Sequence, residues 1–454
     1  MITAKAFAGK HYAVYGLARS GLATVEALLA SGARVTAWDA KDDARAKAPP
    51  GAELADLDEI DLAQFDSLVV TPGLPLNRHP IAARSRAANV EIIGDIELFA
   101  RARPELPPHK VVGITGTNGK STTTALVHHI LKTAGVPTTM GGNIGLPILA
   151  KDPLPEGGVY VLELSSYQID LTQSLDCDVA VLLNITPDHL DRYESFEAYA
   201  ASKARLFEMQ RTGIAVIPDN EEPSRKIIEQ LNLRPNEPRS LPWPTDRGGD
   251  RTFMLWIPEP GRVLRPLVLF GESPHGQDRW PALAGPHNAQ NAAAAIATSR
   301  LLGLSWDQIR EALPTYPGLP HRMERIREKD GVTFINDSKA TNPTATAPAL
   351  AAFDQIRWIC GGQAKTDNLD ECAPHFGHVA SAYTIGEAAE LFDRLLAPHM
   401  PVKNCGKLDV AVREAAADAK PGDTVLLSPA CASFDQFRDF EDRGDQFRAL
   451  VGAL

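Results

Sequence analysis

Six consecutive residues, Gly116-Thr117-Asn118-Gly119-Lys120-Ser121, follow the apolar run Val111, Val112, Ile114 and precede a helix-like stretch from Thr122. A strand that turns on glycines into a helix N-terminus aims backbone N–H groups and the positive end of a dipole at one point, where an anion is favoured. Lys120 adds a cation able to follow a migrating phosphoryl group, and Ser121 offers a hydroxyl to Mg2+. The general phosphate-loop spelling GxxxxGK[ST] is not met in full, because Ile114 stands where its first glycine belongs and Gly116 takes over the turn.

Glu163 closes an apolar strand expected at Val159 to Leu164, so its carboxylate would face the phosphate loop of the same sheet and complete a Mg2+ site. Without that loop, a glutamate at a strand end would be read as facing solvent. After the next strand, Asp188, His189 and Asp191 place three acidic or imidazole side chains within four residues, a second candidate for metal or acid–base work. Lys203 lies on a helical stretch where most lysines face water. An ammonium carries only donors and cannot ligate Mg2+. It could serve a metal only if CO2 first converted the amine into a carbamate.

The elements that must position these groups alternate strand and helix. Strands are expected at His11 to Tyr15, Arg34 to Trp38 and Ser67 to Val70, with a helix from about Gly21 to Ser31, an order that predicts a parallel sheet. Pro104, Pro107 and Pro108 punctuate a linker, and Lys110 to Ile114 starts a second unit with later strands at Val159 to Leu164 and Val179 to Asn184. Residues 233–286 are rich in proline and glycine and are expected as short strands or loops, followed by a helix from Asn288 to Leu302. Prolines cluster again from Pro314 to Pro320. A third unit follows, with strands at Val332 to Asn336, Ile356 to Cys360, Ala382 to Ile385 and Thr424 to Leu427. The expected fold class is α/β in three domains: a Rossmann-like domain over 1–103, a central P-loop sheet over 104–316 and a second Rossmann-like domain over 317–454.

Composition supports this division. A chain of 454 residues exceeds one core and accommodates about three domains of ~150 residues. The net charge of −11 argues against a general nucleic-acid or anionic-membrane surface, so anionic substrates must be met by focused pockets. Five cysteines show no CxxC or zinc spacing and read as small buried hydrophobes of a reduced protein. With no apolar run approaching ~18 residues and no signal-peptide core, the chain is expected to stay in the cytosol.

In the first domain Gly16-Leu17-Ala18-Arg19-Ser20-Gly21 follows a strand, opens a helix and precedes Asp39 at the end of the second strand. That is the Rossmann pattern for a ribose-binding acid. The middle glycine is replaced by Ala18, so NAD, another nucleotide-like ligand and a purely structural turn all stay open. Thr71-Pro72-Gly73 adds a second loop at the same expected sheet edge.

Gly116 to Ser121, Gly141-Gly142-Asn143-Ile144-Gly145, Glu163-Leu164-Ser165-Ser166, Asp188-His189-Leu190-Asp191 and Ala284-Gly285-Pro286-His287-Asn288 to Asn291 together resemble the Mur ligase family, ATP-dependent amide-forming enzymes of peptidoglycan precursor synthesis. Leu319-Pro320-His321-Arg322, Ile335 to Asn342 and Leu427 to Phe437 look like the branch that adds D-glutamate to UDP-N-acetylmuramoyl-L-alanine. The motifs run through all three domains in order.

The resemblance implies a UDP-substrate domain with Gly16, Arg19, Ser20, Asp39 and Gly73, although Ala40-Lys41 stand where a hydroxyl and an arginine are common. It implies an ATP site built from Gly116, Thr117, Asn118, Gly119, Lys120, Ser121 and Thr122, with Asn288 and Asn291 on the adenine side. Arg322 would reach the phosphates and Asp337 the ribose. Ser121 and Glu163 would serve a first Mg2+, and His189 with a carbamylated Lys203 a second. Lys120, His189 and Lys203 would be catalytic. Asn143 would contact the UDP-sugar, while Thr341, Lys365, Ser433 and Phe440 would frame D-glutamate. A monomer is expected, with closure about Pro314 to Pro320 assembling the site. Two other readings stay open: a nucleotide-gated module that hydrolyses ATP without forming a bond, and a sister ligase using another amino acid or a folate.

Overall fold

Long apolar runs dominate the strands because both faces of each parallel sheet are covered by helices. The computed structural model describes residues 1–189, 191–218, 221–231, 239–242, 252–256, 267–270, 279–283 and 286–454, with the side chains of 239–270 and 286–287 outside that description. Most of the proline- and glycine-rich segment 233–286 therefore lies outside the described residues, as does Leu190.

Three sheets carry the chain. The first comprises β1 (His11–Tyr15), β2 (Arg34–Trp38), β3 (Glu53–Leu54), β4 (Ser67–Val70) and β5 (Glu91–Ile93) in the order β3-β2-β1-β4-β5, all parallel. This is the doubly wound arrangement in which strand order reverses between β1 and β4 and ligands bind beyond the carboxyl ends. The helix Arg19–Ala30 follows β1 and starts two residues earlier than its periodicity predicts.

The second sheet holds β6 (His109–Thr115), β7 (Thr138–Gly142), β8 (Gly158–Glu163), β9 (Val179–Leu182), β10 (Ile214–Pro218), β11 (Arg239–Pro242), β12 (Thr252–Trp256) and β13 (Leu267–Phe270). Its order is β11-β12-β13-β10-β9-β6-β8-β7, with β11 and β12 antiparallel at one edge. β7, with the sequence Thr-Thr-Met-Gly-Gly, escapes a propensity reading because its two glycines are poor strand formers. Register places Ile114 beside Glu163, and Gly142 on the other side of Glu163.

The third sheet has β14 (Glu324–Lys329), β15 (Val332–Asn336), β16 (Ile356–Gly361), β17 (Val379–Ile385), β18 (Val402–Gly406) and β19 (Thr424–Leu427) in the order β14-β15-β19-β16-β17-β18. β14 is antiparallel to β15 and charged at five of its six positions, which hides it from hydrophobic pattern reading and blunts the sheet edge against pairing with another chain.

Two compact units result. Met1–Gly276 with Pro286–Pro314 form the first, and Gln277–Gly285 with Thr315–Leu454 the second. The first and second sheets share the first unit because one apolar cluster runs through both, from Phe7, Val25 and Phe99 to Tyr160, Leu182 and Phe207. Phe99 packs edge-on against Tyr160 at 5.1 Å. Glu97, buried at 1% exposure, adds polar cement: Oε2 accepts from the amides of Gln173 (2.7 Å) and Ser174 (2.9 Å), and Oε1 from Arg101 Nε (2.9 Å). The proline-marked segment after Ala102 therefore joins two sheets that are locked together. In the second unit, separate apolar clusters cover the two faces of the third sheet, around Trp358 and Phe392 and around Tyr383 and Phe447. Cys177, Cys360, Cys372 and Cys431 are buried free thiols, while Cys405 is half-buried.

Candidate functional site

At the carboxyl edge of the second sheet, Gly116 to Gly119 turn β6 into the helix Lys120–Thr133. Gly119 is the N-cap at φ +82°, and a Cβ there would fall 2.1 Å from Asn291 Oδ1, so only glycine fits. Asn184, just beyond β9, clamps the loop: its carbonyl accepts from Thr117 N (3.0 Å), its Oδ1 from Asn118 N (2.8 Å), and its Nδ2 donates to Asn118 O (3.1 Å). First-turn N–H groups of the following helix, at Lys120, Ser121 and Thr122, have no acceptor within the helix and sit at its positive end. Lys120 Nζ donates to the carbonyls of Gly116 (2.9 Å) and Thr117 (2.8 Å), which holds the cation against the loop.

Lys203 is where sequence reasoning departs furthest from the structure. Its helix, Phe196–Glu208, does not show this lysine to water: it is 1% exposed, and its Nζ donates to Gly116 O at 3.0 Å and lies 4.4 Å from the Tyr199 ring centroid. Burial, helped by the neighbouring Lys120 charge, pulls its ammonium down to about 7. Two lysines thus converge on one loop carbonyl, and one of them is poised to lose its proton near neutrality.

Glu163 ends β8 at 2% exposure. Asn143 Nδ2 donates to Oε1 at 3.2 Å, and the Asn143 amide donates to Glu163 O at 2.8 Å. The tight turn that brings Asn143 there needs Gly142 at φ +85°, since a Cβ would lie 2.2 Å from Glu163 O. Among the described residues Oε2 is buried with no hydrogen-bond partner. A buried carboxylate oxygen without a donor is costly unless a cation completes it, so Glu163 fits a hard divalent ion.

The expected Asp188–His189–Asp191 cluster is not gathered as one set of ligands. His189 Nε2 lies 3.5 Å from Asp188 Oδ2, its side chain 43% exposed, and the residue adopts φ +54°. Asp191 instead lends its carbonyl to Asn77 Nδ2 (3.2 Å) and Arg78 Nη2 (2.8 Å) from the loop after β4. Among the described residues no three His, Cys, Asp or Glu side chains are grouped to hold a metal. Mg2+ sites commonly need only one or two carboxylates, with phosphates and waters supplying the rest. Residues that pattern reading passed over line this edge: Tyr199 Oη is 3.1 Å from Thr117 Oγ1, and Arg192 stacks on Tyr167 at 4.4 Å. Single aromatic and arginine side chains carry no spacing signal, so only folding reveals them.

In the first sheet the Gly16 turn meets Thr71, and a Cβ on Gly16 would lie 2.4 Å from Thr71 Oγ1. Asp39 turns inward to this turn, accepting from Leu17 N at 2.7 Å and Lys41 N at 2.9 Å. Arg19 Nη2 donates to Gly145 O at 2.8 Å, beside Asn143, while Ser20 lines a small cavity with Thr24, Thr71 and the buried Asp95, whose carboxyl burial raises to about 6. Gly73 O accepts from Arg192 Nη1 at 3.3 Å. On the helix Pro286–Leu301, Asn291 Nδ2 donates to Asn288 Oδ1 at 3.2 Å next to Gly119.

The second unit gathers its own cluster beyond β15, β16 and β19. Asp337 is 5% exposed, accepting from Met323 N (3.2 Å) and Ser428 Oγ (2.8 Å), and burial raises its carboxyl to about 7. Among the described residues Arg322 presents a buried Nε with no hydrogen-bond partner. Lys365 Nζ reaches Thr341 Oγ1 at 3.4 Å, Ser433 is buried, and Lys339 lies over the Phe440 ring at 5.4 Å. The fully buried Arg443, not singled out in the sequence, ties these loops by donating to Ser338 Oγ (3.0 Å), Ser338 O (2.8 Å) and Cys431 O (3.1 Å).

A glycine-turned phosphate loop with a lysine and a serine at the helix start, beside a buried strand-end carboxylate, defines a nucleotide-binding α/β protein built for phosphoryl chemistry. Comparison with known proteins narrows the class. Residues 114–240 match the Mur ligase middle domain, and residues 321–431 match the Mur ligase, glutamate ligase domain. Proteins named UDP-N-acetylmuramoylalanine--D-glutamate ligase from Novosphingobium aromaticivorans (58% identical, 100% of this chain and 97% of that protein) and Sphingopyxis alaskensis (56%, 100% of both) align along the whole length. The UDP-N-acetylmuramate-alanine ligase from Thermotoga maritima shares the fold at 17% identity and a TM-score of 0.55, over 98% of this chain and 99% of that one. So does a MurF ligase from Thermotoga maritima in complex with ADP, at 18% identity and a TM-score of 0.54, over 98% and 96%. The chain belongs to the Mur ligase family and is an ATP-dependent, amide-bond-forming ligase of the kind that uses Mg2+.

Proposed function

We propose that this chain joins D-glutamate to the L-alanyl carboxylate of UDP-N-acetylmuramoyl-L-alanine, releasing ADP and phosphate, in peptidoglycan precursor synthesis. The observation that carries the chemistry is the convergence of Lys120 and Lys203 on the Gly116 carbonyl. The substrates follow from full-length similarity to ligases so named.

A carboxylate is a poor acyl donor, so it is first given a better leaving group: a carboxylate oxygen attacks the γ-phosphorus and ADP departs. The amine then attacks the acyl phosphate carbon, loses a proton, and phosphate leaves. The protein's part is positioning and charge compensation. The loop amides and Lys120 hold the transferred phosphoryl group, with Asn288 and Asn291 on the adenine side. Gly16, Arg19, Ser20, Asp39, Gly73 and Asn143 hold the UDP-substrate. In the second unit Arg322 and Asp337 serve the nucleotide, and Thr341, Lys365, Ser433 and Phe440 hold D-glutamate. Ser121 and Glu163 would hold one Mg2+, which offsets phosphate charge when bound. His189 and Lys203 as a carbamate would hold a second.

Carbamate formation has a physical basis at this residue: Lys–NH2 + CO2 gives Lys–NH–CO2− and H+, it needs the neutral amine that burial favours, and the remaining N–H can still donate to Gly116 O. The segments 1–103, 104–316 and 317–454 would act as UDP-substrate, ATP and amino-acid domains. The chain would act as a cytoplasmic monomer, and its net charge of −11 disfavours binding to nucleic acid or to an anionic membrane surface.

Two results test this reading. With ATP, Mg2+ and UDP-N-acetylmuramoyl-L-alanine, phosphate release should require D-glutamate and be negligible with L-glutamate. Release without any amino acid would instead point to a nucleotide hydrolase. Glu163→Gln should raise the Mg2+ concentration for half-maximal turnover roughly tenfold or more. Its melting temperature without metal should not fall, because the substitution removes a buried, partly unpaired charge. An unchanged Mg2+ requirement would remove Glu163 from the metal site.

A further inference from the structure

Between the loop that follows β4 and the phosphate loop, the first unit contains a continuous string of contacts that the reaction as described leaves unused. It begins at Arg192, whose Nη2 donates to Leu74 O at 2.8 Å and Nη1 to Gly73 O at 3.3 Å. The same guanidinium lies over the Tyr167 ring at 4.4 Å. Tyr167 packs against His189, with centroids 4.9 Å apart, and the Arg192 amide donates to His189 O at 2.9 Å. Tyr193 then stacks on Tyr167 at 6.1 Å and meets Tyr199 at 5.4 Å, and Tyr199 Oη reaches Thr117 Oγ1 of the phosphate loop at 3.1 Å.

Two features set this apart from ordinary packing. A guanidinium fork that engages two consecutive carbonyls while its face covers an aromatic ring fixes three partners at once, which an ammonium cannot reproduce. The turn it steadies holds His189 at φ +54°, a left-handed conformation that costs a non-glycine residue energy and persists only where neighbours enforce it. Displacing the Gly73–Leu74 carbonyls would therefore be felt at His189.

We propose that Arg192 is a positioning residue that couples the two ligand-binding edges of the first unit: a UDP-sugar substrate seated against the Gly73 loop favours, through Arg192 and Tyr167, the arrangement of His189 and Thr117 that receives the nucleotide. This rests on the substrate assignment made above. Coupling of this kind is reciprocal, so either ligand raises the affinity for the other by the same factor.

The test is a thermodynamic cycle by calorimetry on the full chain, using Mg2+ with a non-hydrolysable ATP analogue and UDP-N-acetylmuramoyl-L-alanine, each titrated with and without the other. In the unmodified protein each ligand should tighten the other several-fold. Arg192→Met should bring that factor to about one while leaving the affinity for the nucleotide analogue alone within about twofold. Arg192→Lys, which keeps the charge but loses the fork, should recover only part of it. Added methylguanidinium should restore coupling to Arg192→Ala. Coupling unchanged in Arg192→Met, or absent from the unmodified protein, would overturn the proposal. If the unmodified protein binds no UDP-sugar and releases no phosphate, it is the substrate assignment that fails.

Discussion

Lys120→Ala should lower turnover by roughly a thousandfold or more, about 4 kcal/mol of barrier, while the melting temperature changes by only a few degrees. The side chain's cation rests on two carbonyls of its own loop, Gly116 O and Thr117 O, and forms no part of the apolar core. Its removal takes away charge that matters most as negative charge builds on the transferred phosphoryl group, an interaction stronger in the transition state than in the resting complex. Steady-state phosphate release and thermal unfolding on the same preparation measure the two halves. An active variant would remove the phosphate loop from the chemistry. An unfolded one would show that Lys120 holds the Gly116 turn, and Lys120→Met would then separate the packing of the stem from the charge.

Lys203→Ala should be comparably inactive but partly recovered by millimolar acetate or formate, because a small carboxylate can occupy the space left by a carbamate-bearing side chain. Lys203→Arg, which cannot be carbamylated in the same way, should not recover. Full activity of Lys203→Ala would show that no carbamate is needed.

The pH dependence of stability gives an independent check on the buried amine. Its value in the folded, unmodified protein is depressed to about 7 from an ordinary 10.5, so the folded state binds fewer protons than the unfolded chain between these values. The stability it contributes is complete above pH 10.5 and is lost as pH falls through 7. Relative to the unmodified chain in CO2-free buffer, Lys203→Ala should therefore gain stability as pH falls from about 10.5 to 7, read by denaturant unfolding across that range. A difference that does not vary with pH would mean that Lys203 titrates as a solvated lysine.

Much of this site is written in local sequence. The phosphate loop, the glutamate that closes β8 and the Gly16 turn each follow from a short apolar run ended by glycine or a polar residue, and such patterns act through nearest neighbours along the chain. Strands β1, β2, β4, β15 and β19 span the ranges expected from their apolar runs, because buried parallel strands leave little choice of residue at their centres. β7 and β14 were not legible, one masked by its glycines and the other by its charges, since both are edge strands defined by a partner and not by their own composition.

Lys203 shows where local reasoning stops. Its helical neighbourhood says solvent, and only the packing of the helix Phe196–Glu208 against the loop after β6 buries it on Gly116 O. Arg192, Tyr199 and Arg443 likewise gain their roles from chain segments 80 to 120 residues away, at Leu74, Thr117 and Ser338. Residue type and short-range order fix which groups can bind phosphate or metal. Which of them lose their water, share a carbonyl or face an unpaired oxygen depends on contacts between distant segments, because desolvation and long-range hydrogen bonding are properties of the packed molecule.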